Sequence, residues 1–281
     1  MTLAVLPRPN GFGAAIHGID LSGPLDAKTS AALRAAWLAH RVVWFPDQTL
    51  RPDTLARFAR TLGPFGRDPY VDHLPRHPNV LEVRREPDET VVPFGSSWHS
   101  DWSFQPTPPS ATLLYAQIIP PVGGDTLFAD GCAAHDALTP ALRAELDGRF
   151  ALHSARRPYS REGFAAGRGQ DRSMRITPRD DAWAIEAHPI IRTHPETGRR
   201  VLWVNAVYAV GIRGMPDRDA QALLARLCAF ATREEFVYRH VWQPGMLVIW
   251  DNRAVQHCAT GGYDGHRRVL HRITIAGDRP R

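Results

Sequence analysis

The amino-acid sequence predicts a mainly β protein with surrounding helices, organised as a β-sandwich or jelly roll. After Asn79, short apolar runs rich in Val, Ile and Leu alternate with turn-forming Pro and Gly residues. Helical periodicity is clear only near the start of the chain and in two later segments. Short strands joined by turns, with helices early and as insertions, are typical of a layered β core wrapped by helices.

The first part of the chain, about residues 1–78, is predicted to pack on the β core. Thr29–His40 begins with a Thr-Ser pair and carries apolar residues at helical spacing, which predicts a helix. The apolar run Val42–Pro46 predicts a buried strand, and Asp53–Leu62 predicts a second helix with one apolar face. The length of 281 residues allows one large domain or two small ones; no linker-like tract interrupts the chain, and one domain over residues 1–281 is expected.

The later part alternates predicted strands with two predicted helices and one long loop. The helices are Cys132–Leu146 and Asp217–Arg233, and HPETGRR predicts a hairpin turn. Ser154–Asp181 is rich in Arg, Gly and Asp and has little pattern, which predicts a long loop that serves as a lid. The predicted strands are Val80–Glu86, Ala111–Ile119, Pro189–His194, Val201–Asn205, Glu235–Trp242, Met246–Asn252 and Val269–Gly277.

The composition argues against several functional classes. The net charge is +5, but Lys28 is the only lysine and the arginines are interleaved with acids, so ordinary surface charge is favoured over a nucleic-acid interface. No apolar stretch approaches about 18 residues and no signal-peptide pattern occurs, so we expect no membrane partner. Three cysteines without CxxC spacing argue against a disulfide framework and a zinc cluster, and they favour a cytoplasmic location.

The stretch SSWHSDWSF, residues 96–104, contains a candidate metal half-site. On an extended chain His99 and Asp101 project to the same face, and imidazole with carboxylate suits iron(II), manganese or zinc. Trp98 and Trp102 flank the pair and would exclude water. Roughly one His-x-acid triplet is expected by chance, so a polar pair without function remains the alternative.

A second His-x-acid triplet and several other histidines compete for roles in the site. His194-Pro-Glu196 lies on the predicted hairpin tip, where side chains would point into solvent. His257 is the preferred third ligand, because it follows a strand and precedes a turn-rich loop at the mouth of a sheet. His240 and His271 lie inside predicted strands and are interpreted as ordinary core or surface residues. The histidines placed in loops without partners are His73, His77 and His153.

Arginines and a threonine near these residues are candidates for binding an anion. Arg268 and Arg272 share a face of the last predicted strand, and buried guanidinium groups require anions such as carboxylate, sulfonate or sulfate. A structural salt bridge is the alternative. Thr126 follows a double glycine that allows close backbone approach, and it either faces a ligand or is a plain strand residue.

The motifs WHSDWSF, PPVGGDTLFAD, HPIIRTHPETGRR, WDNRAVQH and HRRVLHRITIAGD occur in this order along nearly the whole chain. Together they resemble the iron(II)- and 2-oxoglutarate-dependent dioxygenases of the taurine dioxygenase and 2,4-dichlorophenoxyacetate dioxygenase family. The resemblance implies a double-stranded β-helix, a cupin-like jelly roll. It also implies that Fe(II), 2-oxoglutarate and O2 are used to hydroxylate a substrate beside a heteroatom, with release of succinate and CO2.

The resemblance also implies residue roles and partners. Fe(II) would be held by His99, Asp101 and His257, while Arg268 and Thr126 would bind 2-oxoglutarate. Arg272 would bind the anionic head group of a small substrate, and the chain would form a homodimer or homotetramer.

The expected substrates are alkyl sulfonates, alkyl sulfate esters and aryloxyalkanoates. Taurine enzymes carry an asparagine at the position of Gly95, which argues against taurine itself. Their upstream histidine has Tyr70 and His73 as counterparts in RDPYVDHL. Residues expected to form an aromatic wall for the substrate are Trp102, Phe104 and Tyr159.

Two other functions use the same residues differently. A zinc hydrolase with the same three ligands would activate water and would need no 2-oxoglutarate. A ligand-binding or nucleic-acid-binding module on a jelly-roll scaffold would need no metal and, if it bound DNA, would do so in a salt-dependent manner.

Overall fold

A computed structural model describes residues 3–281, and its largest feature is an eight-stranded sheet. Its strands pair antiparallel except for β2 and β3, which run parallel. Elements are numbered in chain order. In spatial order the strands are β1 (Ala4–Pro7), β2 (Ala14–His17), β3 (Val42–Phe45), β14 (Leu247–Asp251), β6 (Ala111–Ile118), β16 (Arg268–Ile275), β5 (His77–Arg85) and β4 (His73–Leu74).

A three-stranded sheet lies against one face of the large sheet. It consists of β13 (Val237–His240), β7 (Thr126–Asp130) and β15 (Val255–Ala259). Leu114 and Leu270 from the large sheet pack with Phe128 and Val255 from the small one, forming the buried core between the two layers. This core positions β15 opposite β16.

Two smaller sheets complete the β structure within residues 3–281. One contains β12 (Ala209–Ile212), β8 (Phe150–His153) and β9 (Glu186–Pro189), and the other is the hairpin of β10 (Ile191–Thr193) and β11 (Arg200–Leu202).

Helices cover the outer surfaces of the sheets. Helix α1 (Ala27–His40) and helix α2 (Pro52–Arg60) pack their apolar faces on the large sheet through residues such as Trp37 and Phe58. Helix α1 begins before Thr29 because the Asp26 carboxylate accepts a hydrogen bond from the Thr29 amide. The other helices are α3 (Gly131–Asp136), α4 (Pro140–Leu146), α5 (Arg156–Tyr159), α6 (Arg161–Ala166) and α7 (Asp217–Ala231).

The predicted fold class, mainly β with surrounding helices, is confirmed, but several element boundaries were wrong. Cys132–Leu146 is two helices, because Pro140 starts a new helix that Thr139 caps through the Leu142 amide. Ser154–Asp181 contains α5, α6, one short 3₁₀ turn and the start of another rather than an unstructured loop. Each helix there is too short to show apolar periodicity.

Strand predictions were less complete than helix predictions. Pro189–His194 divides between β9 and β10, and Glu235–Trp242 begins as a 3₁₀ turn before β13. Short or edge strands carry too few residues for a clear alternation. The strands that were not predicted are β1, β2, β4, β7, β8, β12 and β15.

No helix within residues 3–281 combines the length and apolar character needed to cross a membrane. The three cysteines, Cys132, Cys228 and Cys258, are all free thiols.

Candidate metal centre and adjoining cavities

Backbone pairing brings the two candidate histidines together. The amide of His99 donates to the His257 carbonyl at 3.0 Å, and the His257 amide donates back to the His99 carbonyl at 2.8 Å. The imidazole centroids are consequently 4.2 Å apart. After this bridge the chain turns, and Trp102 adopts a left-handed φ of 45°. The WHSDW segment is therefore a bridge followed by a turn, and the extended conformation expected for it stops before Asp101.

His99, Asp101 and His257 form a compact buried cluster. One ligand atom from each residue lies within 4.8 Å of the others. Asp101 Oδ1 is 3.5 Å from His99 Nε2 and 3.8 Å from His257 Nε2. Because His99 Nδ1 lies 2.7 Å from the Ser97 carbonyl and must donate to it, His99 Nε2 keeps a free lone pair facing the cluster.

The protonation states of the cluster suit a divalent metal. Burial and then His99 lower the pKa of His257 to about 3, so its imidazole is neutral. Burial raises the pKa of Asp101, but Arg272 and the adjacent imidazoles outweigh that effect and hold it well below its usual value. His257 Nδ1 is buried without a hydrogen-bond partner within the described chain. Two imidazoles and one carboxylate fit Fe(II), Mn(II) or Zn(II).

Two polar residues that sequence reasoning missed orient the Asp101 carboxylate. Thr112 Oγ1 donates to Asp101 Oδ2 at 2.6 Å, which leaves Oδ1 facing the imidazoles. Asn252 Nδ2 donates to Thr112 Oγ1 at 2.9 Å, and Asn252 Oδ1 accepts from Trp250 Nε1 at 2.9 Å. The only sequence signal was the presence of polar residues inside or directly after buried strands.

A cavity of about 40 Å³ lies beside the cluster and contains Arg268 and Thr126. Arg268 is buried and forms no ion pair within residues 3–281; its Nη2 donates to the Gly124 carbonyl at 3.0 Å. Burial lowers the pKa of Arg268 to about 10. Gly124 has a φ of +71°, and a Cβ there would lie 3.2 Å from Arg268 Nε, so this glycine allows the close approach. A buried guanidinium without a counter-charge favours a bound anion.

Arg272 lines the same small cavity and has two carboxylate partners. Its Nη2 lies 2.9 Å from Asp101 Oδ1 and its Nη1 lies 3.5 Å from Asp68 Oδ1. The guanidinium carbon lies 4.8 Å from the centre of the Trp102 ring. Asp68, which was not predicted, also accepts from Trp102 Nε1 at 2.6 Å and from Thr274 Oγ1 at 3.1 Å. Asp68 thus fixes both Arg272 and Trp102.

A larger cavity of about 230 Å³ also contacts His99 and Asp101. Trp102 and Tyr159 line it, together with Tyr208, which was not predicted. The two other predicted aromatic residues lie outside the lining and pack against it. Tyr70 stacks on Tyr159 with ring centroids 4.7 Å apart, and the ring centroids of Phe104 and Trp102 are 5.8 Å apart. Residues 154–181 supply much of the lining.

Gly95 also lines both cavities, in a conformation that favours glycine. Its φ is +75°, and a Cβ at this position would lie 3.3 Å from His99 Cε1. A side chain here would therefore press on the His99 imidazole.

Within the competing His194-Pro-Glu196 triplet, Pro195 and Glu196 are exposed as predicted, but His194 is not. His194 is buried and its Nε2 lies 3.0 Å from Asp251 Oδ2, while Glu196 pairs with Arg253 at 2.6 Å. The hairpin tip folds back onto the end of β14, where a buried ion network forms.

The prediction that three histidines lie in loops without partners was also wrong. His73 and His77 begin β4 and β5, and His153 ends β8. His77 Nδ1 is 3.0 Å from an Asp53 carboxylate oxygen. His73 Nε2 lies 3.9 Å from Asp68 Oδ2, and His153 Nδ1 lies 3.0 Å from Ser103 Oγ.

Comparisons with known proteins identify the family. Residues 4–274 match the taurine catabolism dioxygenase TauD, TfdA family, and the chain belongs to it. It is 32% identical over 276 residues to the (S)-phenoxypropionate/alpha-ketoglutarate-dioxygenase of Sphingobium herbicidovorans, covering 98% of this chain and 95% of the relative. It is 33% identical over 281 residues to the alpha-ketoglutarate-dependent sulfate ester dioxygenase of Pseudomonas putida, covering 100% and 91%.

A solved structure supports the same assignment. A taurine dioxygenase from Burkholderia xenovorans superposes with a TM-score of 0.82 at 32% identity, covering 99% of this chain and 92% of the other. The family and the enzyme class predicted from the sequence, an alpha-ketoglutarate-dependent dioxygenase, are confirmed.

Proposed function

We propose that this protein uses Fe(II), 2-oxoglutarate and O2 to hydroxylate a small anionic substrate next to a heteroatom. The proposal rests on one observation above all: the His99, Asp101 and His257 cluster adjoins a cavity with a buried Arg268 that has no ion-pair partner within residues 3–281. The substrate classes are alkyl sulfonates, alkyl sulfate esters and aryloxyalkanoates, and the relatives named for phenoxypropionate and sulfate ester support this choice.

His99, Asp101 and His257 would hold the iron through Nε2, Oδ1 and Nε2. Bound iron would supply the O2 chemistry that decarboxylates 2-oxoglutarate to succinate and CO2 and hydroxylates the substrate. Three protein ligands leave positions for cosubstrate and oxygen. A hydroxyl group placed beside a sulfonate, sulfate ester or aryl ether makes the product separate into a carbonyl compound and sulfite, sulfate or a phenol.

Arg268 and Thr126 would bind the carboxylate of 2-oxoglutarate that points away from the iron. Arg268 is held by one hydrogen bond to Gly124, so its remaining nitrogens can meet a carboxylate. Thr126 Oγ1 already accepts from Trp242 Nε1 at 3.0 Å, and its own proton is therefore available to donate.

Arg272 would bind the anionic head group of the substrate. Its guanidinium is paired with Asp101, and Asp101 would share its negative charge with a bound cation. Arg272 would then carry positive charge that a sulfonate, sulfate or carboxylate can neutralise. Trp102 and Tyr159, with Phe104 and Tyr70 behind them, would form the apolar wall for the body of the substrate.

The chain would form one domain over residues 1–281, with its N-terminal part packed on a double-stranded β-helix. Two facing sheets with a site between them support the cupin-like jelly roll. Residues 154–181 would act as the lid of the larger cavity. A homodimer or homotetramer, a cytoplasmic location and the absence of nucleic-acid and membrane partners stay predictions. Taurine is disfavoured because the asparagine that taurine enzymes carry is replaced by Gly95. A side chain at this position would press on the His99 imidazole.

The test is succinate release from 2-oxoglutarate with added ferrous iron, across sulfonates, sulfate esters and phenoxy acids. We expect release that requires air and a substrate, and its loss in Asp101→Ala. Normal turnover in Asp101→Ala would refute the proposed ligand set. Substrate breakdown under argon without 2-oxoglutarate would instead indicate the zinc hydrolase, which the dioxygenase relatives do not favour.

A further inference from the structure

The larger cavity contains two arginines whose charge the proposed function does not use. Arg157 and Arg172, both from residues 154–181, line it together with His99 and Asp101. Among the described residues that line this cavity, Asp101 is the only carboxylate, and it is already committed to the metal cluster. Arg272 lines the smaller cavity.

Arg172 is largely buried and only partly neutralised. Its side chain is 12% exposed, and Nη1 donates to the Val92 carbonyl at 2.7 Å. Glu89 Oε1 lies 3.7 Å from Arg172 Nη1, beyond hydrogen-bond distance. Glu89 is occupied elsewhere, because its Oε2 accepts from both the amide and the hydroxyl of Ser173. Burial lowers the pKa of Arg172, and the nearby charge of Glu89 opposes this effect without cancelling it.

Arg157 has no carboxylate partner within residues 3–281. Its Nη1 donates to the carbonyls of Ala206 and Ala209, at 2.7 and 2.9 Å, and these contacts fix the guanidinium at the cavity. Partial burial, and then the neighbouring Arg156, lower the pKa of Arg157.

Residues 154–181 contain five other arginines, and none of them lines the larger cavity; one, Arg156, has its guanidinium carbon 5.7 Å from the centre of the Trp183 ring. Four of them each pair with an aspartate at 3.3 Å or less, and none of the four lines the larger cavity. They are Arg161, Arg168, Arg175 and Arg179. These four arginines are therefore paired with aspartates at the surface, whereas Arg157 and Arg172 at the cavity can bind another anion.

We propose that Arg157 and Arg172 form a second anion-binding subsite, and that the preferred substrate carries two anionic groups. One group would meet Arg272 beside the metal cluster, and the other, a carboxylate, sulfate or sulfonate, would meet the lid arginines. This inference rests on the proposed function, because it extends the substrate of the same site. The second anion would also hold residues 154–181 against the cavity.

Equilibrium binding tests the subsite without turnover. Alkyl sulfates and ω-carboxyalkyl sulfates of equal chain length would be titrated by calorimetry into protein loaded with Ni(II) and 2-oxoglutarate. We expect the dianions to bind about tenfold more tightly, as a charge-assisted contact predicts. Arg157→Gln and Arg172→Gln should each remove most of that preference and leave the affinity for the alkyl sulfates unchanged.

Arg161→Gln is the matched control, since Arg161 lies on the same segment but pairs with Asp180. Arg157 is exposed at the surface, so Arg157→Gln should fold even if Arg172→Gln does not. Equal affinity of the wild type for both probe series would overturn the subsite, as would an equal loss of preference in Arg161→Gln. Succinate release with alkyl sulfates is measured separately, so failure of the dioxygenase proposal remains distinguishable from failure of the subsite.

Discussion

Replacing Thr112 with Val should weaken metal binding although Thr112 is not a ligand. The substitution keeps the branched shape of the side chain but removes the hydroxyl that donates to Asp101 Oδ2 at 2.6 Å. It also leaves Asn252 Nδ2 without its acceptor in a buried position. Without the hydroxyl, the carboxylate can rotate and present either oxygen to the imidazoles.

The magnitude follows from the charge on the acceptor. A hydrogen bond to a charged group contributes about 1.5–3 kcal/mol, and loss of a partner that orients a ligand lowers metal affinity about 10–100-fold. An opposing effect is small: removal of a donor makes Asp101 more basic, but its pKa is already well below the usual value and it is fully ionised. We therefore expect a net loss of affinity.

The assay is titration of Mn(II), followed by electron paramagnetic resonance of the free ion. Thr112→Ser keeps the hydroxyl and should restore affinity close to that of the wild type. Urea unfolding of the metal-free proteins controls for general destabilisation. Unchanged Mn(II) affinity in Thr112→Val, or an equal loss in Thr112→Ser, would show that the hydrogen bond does not position Asp101.

Three further predictions concern the cosubstrate, the metal and acid stability. Arg268→Gln should raise the KM for 2-oxoglutarate about 30-fold or more through loss of a charge-assisted pair, and an unchanged KM would contradict that role. Mn(II) at 100 times its Kd should stabilise the fold by about 2.7 kcal/mol, measured by urea unfolding, whereas His257→Gln should show no stabilisation. Burial lowers the pKa of His153 and His240 to about 3. Since the unfolded chain binds these protons first, stability should fall below about pH 6.5, by about 2 kcal/mol per histidine at pH 5. His240→Gln should make the free energy of unfolding fall less steeply with decreasing pH. A free energy of unfolding that stays constant from pH 7.5 to 5 in the wild type would refute this prediction.

Sequence reasoning reached the parts of the site that local patterns encode. His99 and Asp101 stand out because aromatic residues flank them, and Arg268 and Arg272 stand out because charged residues are rare in a buried strand. Strand periodicity alone indicates that the two arginines share a face, and both line the small cavity.

The contacts that orient these groups could not be predicted, because they join residues far apart in the chain. Asn252 and Thr112 are separated by 140 positions, and nothing near either residue indicates the other. His194 was misjudged for the same reason, since its partner Asp251 lies 57 positions away. A hairpin tip is exposed by default, and only the tertiary fold reveals that His194, beside this tip, packs against Asp251.

The formal charges around the metal cluster limit the net positive charge that is available to a substrate anion there. Two carboxylates, Asp68 and Asp101, balance the two buried guanidinium groups, Arg268 and Arg272. A divalent cation adds two positive charges, and doubly ionised 2-oxoglutarate cancels them. The inner site is therefore neutral before any substrate enters, although Arg272 still offers directional hydrogen bonds.

Compensation for a second anionic group of the substrate must then come from outside that inner group. Within residues 3–281 and outside the metal cluster, Arg157 and Arg172 with nearby Glu89 give the larger cavity one net positive charge. Added salt screens the attraction between this charge and the second anionic group of a substrate, because the cavity is open to solvent on one side. The affinity of the dianion probes should consequently fall more steeply with added salt in the wild type than in Arg157→Gln. A salt dependence identical in the two proteins would mean that the lid arginines do not contribute to the charge that the substrate meets.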